Sequence, residues 1–590
     1  MCNGSSPFIR TIKNMNISSY KSLPELFLEK SEENSHKIQL VRKNKETGND
    51  FIYSWAKTKK EVFAFANFLS QQNIKKGDRV MLVSENRPEW LISDIAIMCH
   101  GLVTVPNYTT YSVKDFEHII NDCKPVGLIV SSKALLKKII EAKNNLNYAF
   151  NFIIHLDPFE IDLSGEKLIS YSSAAQTSSE ENSFSFDRNI LSRKDPACII
   201  YTSGTEGNPK GVVLSHGGIL SNCEGAVELL SDIKIKNHVF LTWLPLSHSY
   251  EHTIQFVQIA LNAKVFYAES LEKLLINLKE AAPTIMTAVP RFYNNFYNKI
   301  LIKLNKESYL KKIIFNKTIE IGTKIILKQK ISFMEKMLNF ALTILVRKKI
   351  QQSLGGNIRT FVSGGGPLDP KIGLFLNALG LKTMQGYGLT ETSPVVSCNP
   401  INSIKVETVG KVLKNCKVKI AEDGEILVKG ENVMLGYWNN EEATKKAIID
   451  EWLYTGDIGE IDSDGYLKIT DRKKDIIVTL GGDNISPAKI ENLLCNHPEI
   501  DQAFVYGDNK NYLISLIVAN KELNPTKEKI QEVVDKTNEN LAAIEKIKNF
   551  SILEESFSAE NNMLTPTLKM KRYIIKKNFE NLLNSFYKKK

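Results

Sequence analysis

The chain contains 590 residues, of which 43% are hydrophobic and 24% are charged, and its formal net charge is +10. This length allows several domains, each with its own core, and the composition is that of an ordinary soluble globular protein. The positive charge alone does not choose among a nucleic acid, a membrane surface and a polyanionic substrate.

The cysteines and the apolar runs argue against a zinc protein, a membrane-spanning protein and a secreted protein. The eight cysteines are scattered singly, with no C-x-x-C spacing and no cluster with histidine, which argues against a zinc site and for reduced thiols in a cytosolic protein. No apolar run reaches the roughly 20 residues that span a bilayer, and residues 1–21 lack the apolar segment of a signal peptide. We expect a cytoplasmic protein, and peripheral contact with the inner face of a membrane stays open.

Short runs rich in valine and isoleucine alternate with segments of helical length along the first 470 residues. This repetition predicts parallel sheets covered by helices on both faces, and hence one large α/β body. The predicted strands are residues 79–83, 126–130, 152–155, 199–202, 239–244, 284–289 and 360–363.

Residues 297–352 interrupt this pattern. They are rich in lysine, poor in glycine and free of proline, and apolar side chains recur at helical intervals from Ile313 to Leu342. The segment is predicted to be a helical insertion or hairpin. Its basic face is interpreted first as a solvated surface, with contact to anionic lipid as the alternative.

Near residue 470 the pattern changes to that of a smaller α+β domain. A charged run at 471–475 lies between two apolar strands, and a helix at 487–495 and strands near 503–506 and 513–518 follow it. We expect residues 1–470 to form the large domain, 471–475 a hinge and 476–590 the smaller domain.

The most informative segment is the loop at 201–211, which reads Tyr-Thr-Ser-Gly-Thr-Glu-Gly-Asn-Pro-Lys-Gly. It follows an apolar strand directly. Its glycines let successive backbone N–H groups turn toward one anion, and its hydroxyl groups and lysine add donors and positive charge. It is not a Walker loop, because its lysine is followed by glycine and an apolar run. The loop predicts a phosphate site formed by Thr202, Ser203, Gly204, Thr205, Gly207 and Lys210.

Five further segments combine glycine or proline with polar, aromatic or charged side chains. A carboxylate such as Glu391 suits Mg²⁺, which takes one or two protein carboxylates and completes its octahedron with water and phosphate oxygen. The segments are 244–252 with His248; 363–367 with Gly364, Gly365 and Gly366; 385–392 with Gln385, Gly386, Tyr387, Gly388, Thr390 and Glu391; 452–457 with Asp457; and 563–572 with Lys569.

In this order the segments resemble the motifs of the adenylate-forming superfamily, which includes acyl-CoA synthetases, peptide-synthetase adenylation domains and luciferases. The resemblance covers about residues 50–580, and residues 107–110 and the helical insertion are most similar to long-chain acyl-CoA synthetases. It implies a fold of the α/β class, with a large multi-sheet N-terminal body and a smaller, mobile α+β C-terminal domain.

The resemblance also implies a role for each candidate residue. Lys569 would act in catalysis, Glu391 and Thr205 would act there and hold Mg²⁺, and His248 would gate the acyl pocket. Asp471 would be the hinge residue, and Gly482 would line the channel for coenzyme A. The ATP site would comprise Thr202, Ser203, Gly204, Gly207, Lys210, Gly364, Gly365, Gly366, Gln385, Gly386, Tyr387 near adenine, Gly388, Thr390 at the α-phosphate, Asp457 at the ribose, and Arg472.

Two positions depart from the family pattern. Glu206 stands where the family usually has threonine or serine, and Leu568 stands where it commonly has glycine. Lys571 is a rival to Lys569 for the essential lysine, and residues 436–440 match the family but are interpreted as structural.

The sequence therefore predicts a ligase that uses ATP, Mg²⁺ and coenzyme A to convert a long-chain fatty acid to acyl-adenylate and then to acyl-CoA. Transfer to an acyl carrier protein is one alternative, and a non-catalytic fatty-acid-binding protein is another. The lysine-rich stretches match no recognisable nucleic-acid motif, so no nucleic-acid partner is expected. Acyl chain length, saturation and oligomeric state do not follow from the sequence.

Overall fold

The computed structural model describes residues 16–43, 48–161, 168–176, 184–202, 209–233, 235–481, 483–558, 560–565 and 569–587. Two large sheets form the N-terminal body. The first has eight strands, with parallel pairing in its interior and an antiparallel edge. In spatial order they are Gly436–Tyr437, Lys210–Ser215, Pro196–Thr202, Val103–Asn107, Arg79–Val83, Gly127–Val130, Phe152–His155 and Leu168–Ser170.

The second sheet has nine strands, and its central pairs are also parallel. All the strands predicted in the N-terminal body fall on these two sheets, and the α/β class is confirmed. In spatial order the nine are Lys411–Val412, Val395–Cys398, Thr383–Gly388, Thr360–Ser363, Ile285–Ala288, Val239–Thr242, Lys264–Tyr267, Ile38–Lys43 and Asp50–Ser54.

The side chains of strand Arg79–Val83 show why these sheets are covered on both faces. Successive residues of a strand point to opposite sides. Val80 and Leu82 pack in the core shared by the two sheets, and Met81 and Val83 pack in a second core on the outer face. A strand that is apolar on both faces therefore needs helices on both sides.

Helices cover both sheets, and several begin at a serine that caps the first turn, including Ser22, Ser54, Ser112, Ser132 and Ser215. Every residue of the helix Ser249–Ala260 is buried. The helices of the body are Leu23–Glu33, Trp55–Ser70, Pro88–Cys99, Val113–Cys123, Lys133–Asn145, Tyr171–Gln176, His216–Ser231, Ser249–Ala260, Leu274–Ala281, Pro290–Asn305, Pro370–Ala378 and Glu441–Ala447. None of the described helices is long and apolar enough to cross a bilayer.

Residues 297–352 are helical, as the end of Pro290–Asn305, then Tyr309–Ile326, Phe333–Leu342, a π-helical segment Thr343–Arg347, and Lys348–Ser353. The body closes with a five-stranded antiparallel sheet. Its strands are Cys416–Ile420, Glu425–Gly430, Ile448–Ile449, Trp452–Ile461 and Leu467–Arg472. The last strand includes Asp471 and Arg472, so it extends two residues into the segment expected to be the hinge.

The smaller C-terminal domain is built on a three-stranded sheet with an apolar core on each face. The three strands of this sheet are Ile500–Tyr506, Leu513–Ala519 and Ile547–Leu553, and Ile477–Val478 pairs separately with Asn484–Ile485. The helices of the domain are Pro487–Cys495, Lys527–Glu539, Arg572–Asn578 and Glu580–Ser585. Asn496 of this domain donates a 2.8 Å hydrogen bond to Asp369 of the large body.

Candidate functional site

The segments that the sequence singled out converge at one edge of the nine-stranded sheet. Thr360–Ser363 and Thr383–Gly388 are parallel neighbours, so their carboxyl ends meet at the same edge. The hydroxyl group of Tyr250 donates to the carbonyl oxygen of Val362 at 3.1 Å, and the hydroxyl oxygens of Ser249 and Thr390 are 3.0 Å apart. Segments 244–252, 363–367 and 385–392 therefore form one site.

Glycine is required at two positions of this edge. A side chain at Gly364 would place its Cβ atom 2.9 Å from the ring of Tyr250. Gly365 has a φ of +79°, a conformation that glycine adopts without strain. The glycines of segment 363–367 thus keep the backbone against an aromatic ring, while Gln385, Gly386 and Gly388 belong to the adjoining strand Thr383–Gly388.

Asp457 is held between a hydroxyl group and a guanidinium group. The hydroxyl of Tyr387 donates to Oδ2 of Asp457 at 2.7 Å, and Nε of Arg472 lies 3.6 Å from Oδ1. Strand pairing sets this arrangement, since Asp457 and Arg472 are direct partners in the five-stranded sheet. Burial raises the pKa of Asp457, and Arg472, Tyr387 and Lys569 oppose that rise.

Glu391 lies in a one-turn 3₁₀ helix, Thr390–Thr392, beside Tyr437 of the eight-stranded sheet. Tyr437 donates its hydroxyl hydrogen to Oε1 of Glu391 at 2.9 Å. The ammonium group of Lys210 lies 5.1 Å from the centre of the Tyr437 ring. Tyr437 was not predicted to lie in the site, because segment 436–440 was interpreted as structural. Its position next to a metal candidate could not be found without the pairing of Gly436–Tyr437 with Lys210–Ser215.

The two ends of the predicted phosphate loop are adjacent. Thr202 and Lys210 are direct partners across the antiparallel strands Pro196–Thr202 and Lys210–Ser215. Lys210 lies against the ring of Tyr437, whose hydroxyl group bonds Glu391. The predicted loop residues Ser203, Gly204, Thr205 and Gly207 lie outside the described residues, as do Gly482 and the two departures, Glu206 and Leu568.

Lys569 reaches the site from the C-terminal domain. Its backbone N–H donates to Oγ1 of Thr565 at 3.0 Å, and its carbonyl oxygen accepts from the N–H of Thr565 at 2.7 Å. Its side chain is exposed to solvent, but enough of the protein surrounds the ammonium group to perturb its pKa. Desolvation there and the charge of Arg472 lower its pKa, whereas Asp457 and Glu391 raise it.

Lys571 points elsewhere. Its ammonium group donates to Oδ1 of Asn562, and the charged group that influences its pKa is Asp115, not one of the carboxylates of the site. The next residue, Arg572, is anchored inside the C-terminal domain, where it bonds Oε1 of Glu491 at 2.8 Å and the carbonyl oxygen of Val505 at 2.7 Å. Asp457 and Glu391 therefore act on the pKa of Lys569, whereas Lys571 is bonded to Asn562.

His248 caps the helix Ser249–Ala260 and is neutral. Its Nδ1 accepts a 3.1 Å hydrogen bond from the N–H of Tyr250, which leaves the ring proton on Nε2. Burial, reinforced by the charge of Lys569, lowers the pKa of His248 to about 3. An uncharged donor at this place can orient a carboxylate without holding it in an ion pair.

The donor set suits Mg²⁺ better than a metal held by protein alone. Among the described residues, no group of three or more histidine, cysteine or acidic side chains converges on one point. A site with one carboxylate, Glu391, needs water and phosphate oxygens to complete six ligands, as Mg²⁺ bound with a nucleotide does.

The chain is similar to known proteins along most of its length. The AMP-binding enzyme family matches residues 27–438, and the AMP-binding enzyme C-terminal domain matches residues 474–590. The long-chain-fatty-acid–CoA ligase FadD15 of Mycobacterium tuberculosis is 32% identical over 567 residues, which cover 90% of this chain and 92% of that protein. Long-chain-fatty-acid–CoA ligase 5 of Rattus norvegicus is 31% identical over 598 residues, covering 91% and 84%.

Solved structures share the fold at lower identity. The adenylation domain of a carboxylate reductase from Mycobacterium chelonae has a TM-score of 0.78 and 18% identity, covering 99% of this chain and 94% of that one. The anthranilate CoA ligase AuaEII in complex with anthranoyl-AMP has a TM-score of 0.74 and 19% identity, covering 96% and 99%.

Proposed function

The chain belongs to the AMP-binding enzyme family, and on that premise we propose that it joins a long-chain fatty acid to coenzyme A at the expense of ATP. The observation that carries the proposal is that different segments of the chain hold two carboxylates at one site: Tyr387 donates to Asp457 at 2.7 Å and Tyr437 donates to Glu391 at 2.9 Å. Both carboxylates also raise the pKa of Lys569 against the lowering by desolvation. The names of the relatives supply the substrate class, since both ligases compared above are long-chain-fatty-acid–CoA ligases.

The proposed reaction has two steps. A carboxylate oxygen of the fatty acid attacks the α-phosphorus of ATP, and the bond to the β-phosphate oxygen breaks, giving acyl-adenylate and pyrophosphate. The thiol of coenzyme A then attacks the acyl carbon, loses its proton and displaces AMP. The first step brings an anion to a polyanion, so positive charge and oriented donors must lie where negative charge accumulates.

The residues of the site divide this work. Lys569 supplies positive charge to the phosphates during adenylation, together with Lys210, Thr202 and the loop residues Ser203, Gly204, Thr205 and Gly207. Glu391 and Thr205 would hold Mg²⁺, which neutralises phosphate charge when it is bound. His248 donates from Nε2 toward the fatty-acid carboxylate, which at pH 7 is already ionised and needs no general base.

The nucleoside part of ATP is assigned to the carboxyl edge of the nine-stranded sheet. Asp457 accepts from the ribose hydroxyl groups, work that suits an ionised carboxylate, and Arg472 is the donor beside it. The adenine lies beside Tyr387, between segments 363–367 and 385–388, and Thr390 donates to the α-phosphate.

The second step requires an open path for the thiol. We assign Asp471 as the pivot on which the C-terminal domain turns, which would remove Lys569 from the phosphates and bring Gly482 to the channel for the pantetheine arm. Coenzyme A is the proposed acceptor because it is named in both relatives, and transfer to an acyl carrier protein is an outcome that the following experiment separates.

The experiment is a screen of AMP release with fatty acids from short to long chain, each with coenzyme A, with acyl carrier protein and with neither acceptor. We expect turnover that rises with chain length and requires coenzyme A. Turnover with carrier protein alone would change the acceptor. Absence of any acyl-dependent exchange of pyrophosphate into ATP would support a non-catalytic fatty-acid-binding protein, consistent with the departures at Glu206 and Leu568.

A further inference from the structure

The net charge of the protein is concentrated in the helical insertion, residues 297–352. This segment contains 13 lysine and arginine residues and three glutamates, for a net charge of +10. The other 534 residues contain 63 basic and 63 acidic side chains and are neutral as a whole. The excess of positive charge is therefore a local property of one surface element.

The same element carries much of the exposed apolar surface. Of the 28 large hydrophobic side chains that are exposed in the described part of the chain, 13 lie in the insertion. They are Tyr309, Leu310, Ile313, Ile314, Ile325, Leu327, Phe333, Met334, Met337, Leu338, Phe340, Ile344 and Leu345. An apolar concentration of this kind marks an interaction site, because single exposed hydrophobic residues are ordinary but clusters are rare.

The helices of the insertion form an antiparallel hairpin that is docked on the body by one side, where Phe315, Ile319, Val346 and Ile350 pack against the core. Lys324 pairs with Glu335 at 2.7 Å near the turn, and Arg347 donates to the carbonyl oxygen of Thr318 at 3.3 Å farther along. Arg347 also donates to the carbonyl oxygen of Ala378 at 2.9 Å. Leu342 is buried on this docked side.

The opposite side of the helix Phe333–Leu342 and of the π-helical segment Thr343–Arg347 that continues it is apolar and exposed. Phe333, Met337, Phe340 and Ile344 recur at intervals of four, three and four residues, and so lie along one ridge of the helix. Met334, Leu338 and Leu345 lie beside that ridge. We call these seven residues the apolar face. An apolar stripe of a surface helix normally packs against the core, but here it points away from it.

We propose that the apolar face inserts into the surface of a bilayer containing anionic lipid, with the surrounding lysines against the headgroups. Apolar side chains flanked by basic ones are the pattern of a helix that lies in the interface plane. Each lysine or arginine near a negatively charged leaflet adds attraction. Anionic lipid fits because the partner must offer an apolar environment to side chains such as Phe333 and Met337 and negative charge to a segment of net charge +10.

The other occupants fit less well. A second copy of the chain would bring the same positive surface against this one, and repulsion of like charges opposes that contact. A nucleic acid would satisfy the lysines but would leave the apolar face in water.

The position of the insertion also suits a membrane-dissolved substrate, an argument that rests on the proposed function. The helix Pro290–Asn305 begins beside the site, where Pro290 and Val289 lie 3.5 Å from the Cβ positions of Gly366 and Gly365. At 1.5 Å per residue this helix is roughly 24 Å long, and the insertion begins in its second half and continues beyond its end. A bilayer bound to the apolar face would thus lie close to the site that consumes the fatty acid.

The test is cosedimentation of the full chain with vesicles of phosphatidylcholine alone and of phosphatidylcholine with one-third phosphatidylglycerol, without nucleotide or fatty acid. The variant is Phe333→Asp with Met337→Asp, at side chains that are 76% and 59% exposed. The matched control is Leu271→Asp with Ile276→Asp, at side chains that are 60% and 58% exposed outside the insertion. Both variants change the net charge equally and replace exposed residues.

We expect the wild type to bind the anionic vesicles, to bind less as salt rises, and to bind neutral vesicles weakly. The insertion variant should bind anionic vesicles about tenfold less well and the control variant should not change. A second variant, Lys348→Gln with Lys349→Gln, should weaken binding to anionic vesicles only. Because no substrate is present, these results do not depend on the proposed reaction.

Three results would overturn the proposal. The first is equal binding of the wild type and the insertion variant, and the second is equal binding of the wild type to both vesicle types. The third is a lipid-free dimer, seen by sedimentation velocity, that dissociates in the insertion variant. Thermal unfolding of all variants checks that each is folded.

Discussion

The hydroxyl group of Tyr437 in the eight-stranded sheet donates a 2.9 Å hydrogen bond to Oε1 of Glu391, which lies 46 positions away in the 3₁₀ helix Thr390–Thr392. The bond fixes one carboxylate oxygen and thereby orients the group proposed to hold Mg²⁺. Tyr437 is also the aromatic neighbour of Lys210 at the end of the phosphate loop. Glu391, the proposed Mg²⁺ ligand, and Lys210, a residue of the predicted phosphate loop, are thus both neighbours of the Tyr437 ring.

Glu391→Gln is expected to raise the Mg²⁺ concentration needed for adenylation, because the amide keeps the shape of the side chain but loses its charge. Tyr437→Phe should shift the same titration less, by about fivefold, since it removes one hydrogen bond worth about 1 kcal/mol. The measurement is acyl-dependent pyrophosphate release against Mg²⁺ concentration. Superimposable titrations of the wild type and Glu391→Gln would remove the metal role.

Asp457→Asn should raise the KM for ATP without changing the Mg²⁺ titration. The amide retains an oxygen for the hydroxyl of Tyr387, but its NH₂ group cannot accept from ribose or pair with Arg472, which lies 3.6 Å from the carboxylate. Tyr387→Phe is the control that removes only the hydroxyl group. A normal KM for ATP in Asp457→Asn would contradict the ribose assignment.

Lys569→Ala is expected to reduce adenylation by about 10²–10³, the effect of losing one charged donor at the reacting group. Thioester formation from preformed acyl-adenylate should be spared, because the charge is needed only while pyrophosphate leaves. Lys571→Ala, two residues away and directed to Asn562, is the matched control. If Lys571→Ala lost adenylation and Lys569→Ala kept it, the assignment would be wrong.

The pH dependence of adenylation should have an alkaline limb that belongs to Lys569. Its pKa is lowered, mainly by desolvation and then by Arg472, so the ammonium loses its proton at a lower pH than an ordinary lysine, whose pKa is about 10.4. Adenylation should therefore fall as pH rises through this lowered pKa, and Arg472→Ala should move the limb to higher pH. His248, with a pKa of about 3, should contribute no transition between pH 5 and 8. Pyrophosphate release across pH, in the wild type and in Arg472→Ala, measures this. An unmoved limb in Arg472→Ala would contradict the assignment.

Arg572→Ala should destabilise the C-terminal domain by about 3–5 kcal/mol, because it leaves the buried carboxylate of Glu491 without its cation. Arg572→Lys should recover part of this, since lysine restores the charge but not the two-pronged hydrogen bonding. Chemical denaturation followed by a probe in the C-terminal domain gives the free energy of unfolding. Equal stability of Arg572→Ala and the wild type would show that the pair does not support the domain.

The sequence by itself determined the α/β class, the predicted strands of the large body and the segments to which the proposed site residues belong. Strand periodicity and glycine-rich turns are local signals, so residues 79–83 or 360–363 can be predicted to be strands without knowledge of the strands that pair with them. Charge is equally local, and the excess in residues 297–352 can be counted from the letters alone.

Tertiary structure decided which of these residues meet. The choice between Lys569 and Lys571 depended on how the C-terminal domain sits against Asp457, and the role of Tyr437 depended on strand pairing across the eight-stranded sheet. The direction of the apolar face was likewise undetermined, because a helical period tells which side chains share a side but not which side packs. Long-range packing carries that information: Arg347 and apolar side chains such as Phe315 hold one side of the hairpin to the body, and Phe333 and Met337 on the other side stay exposed.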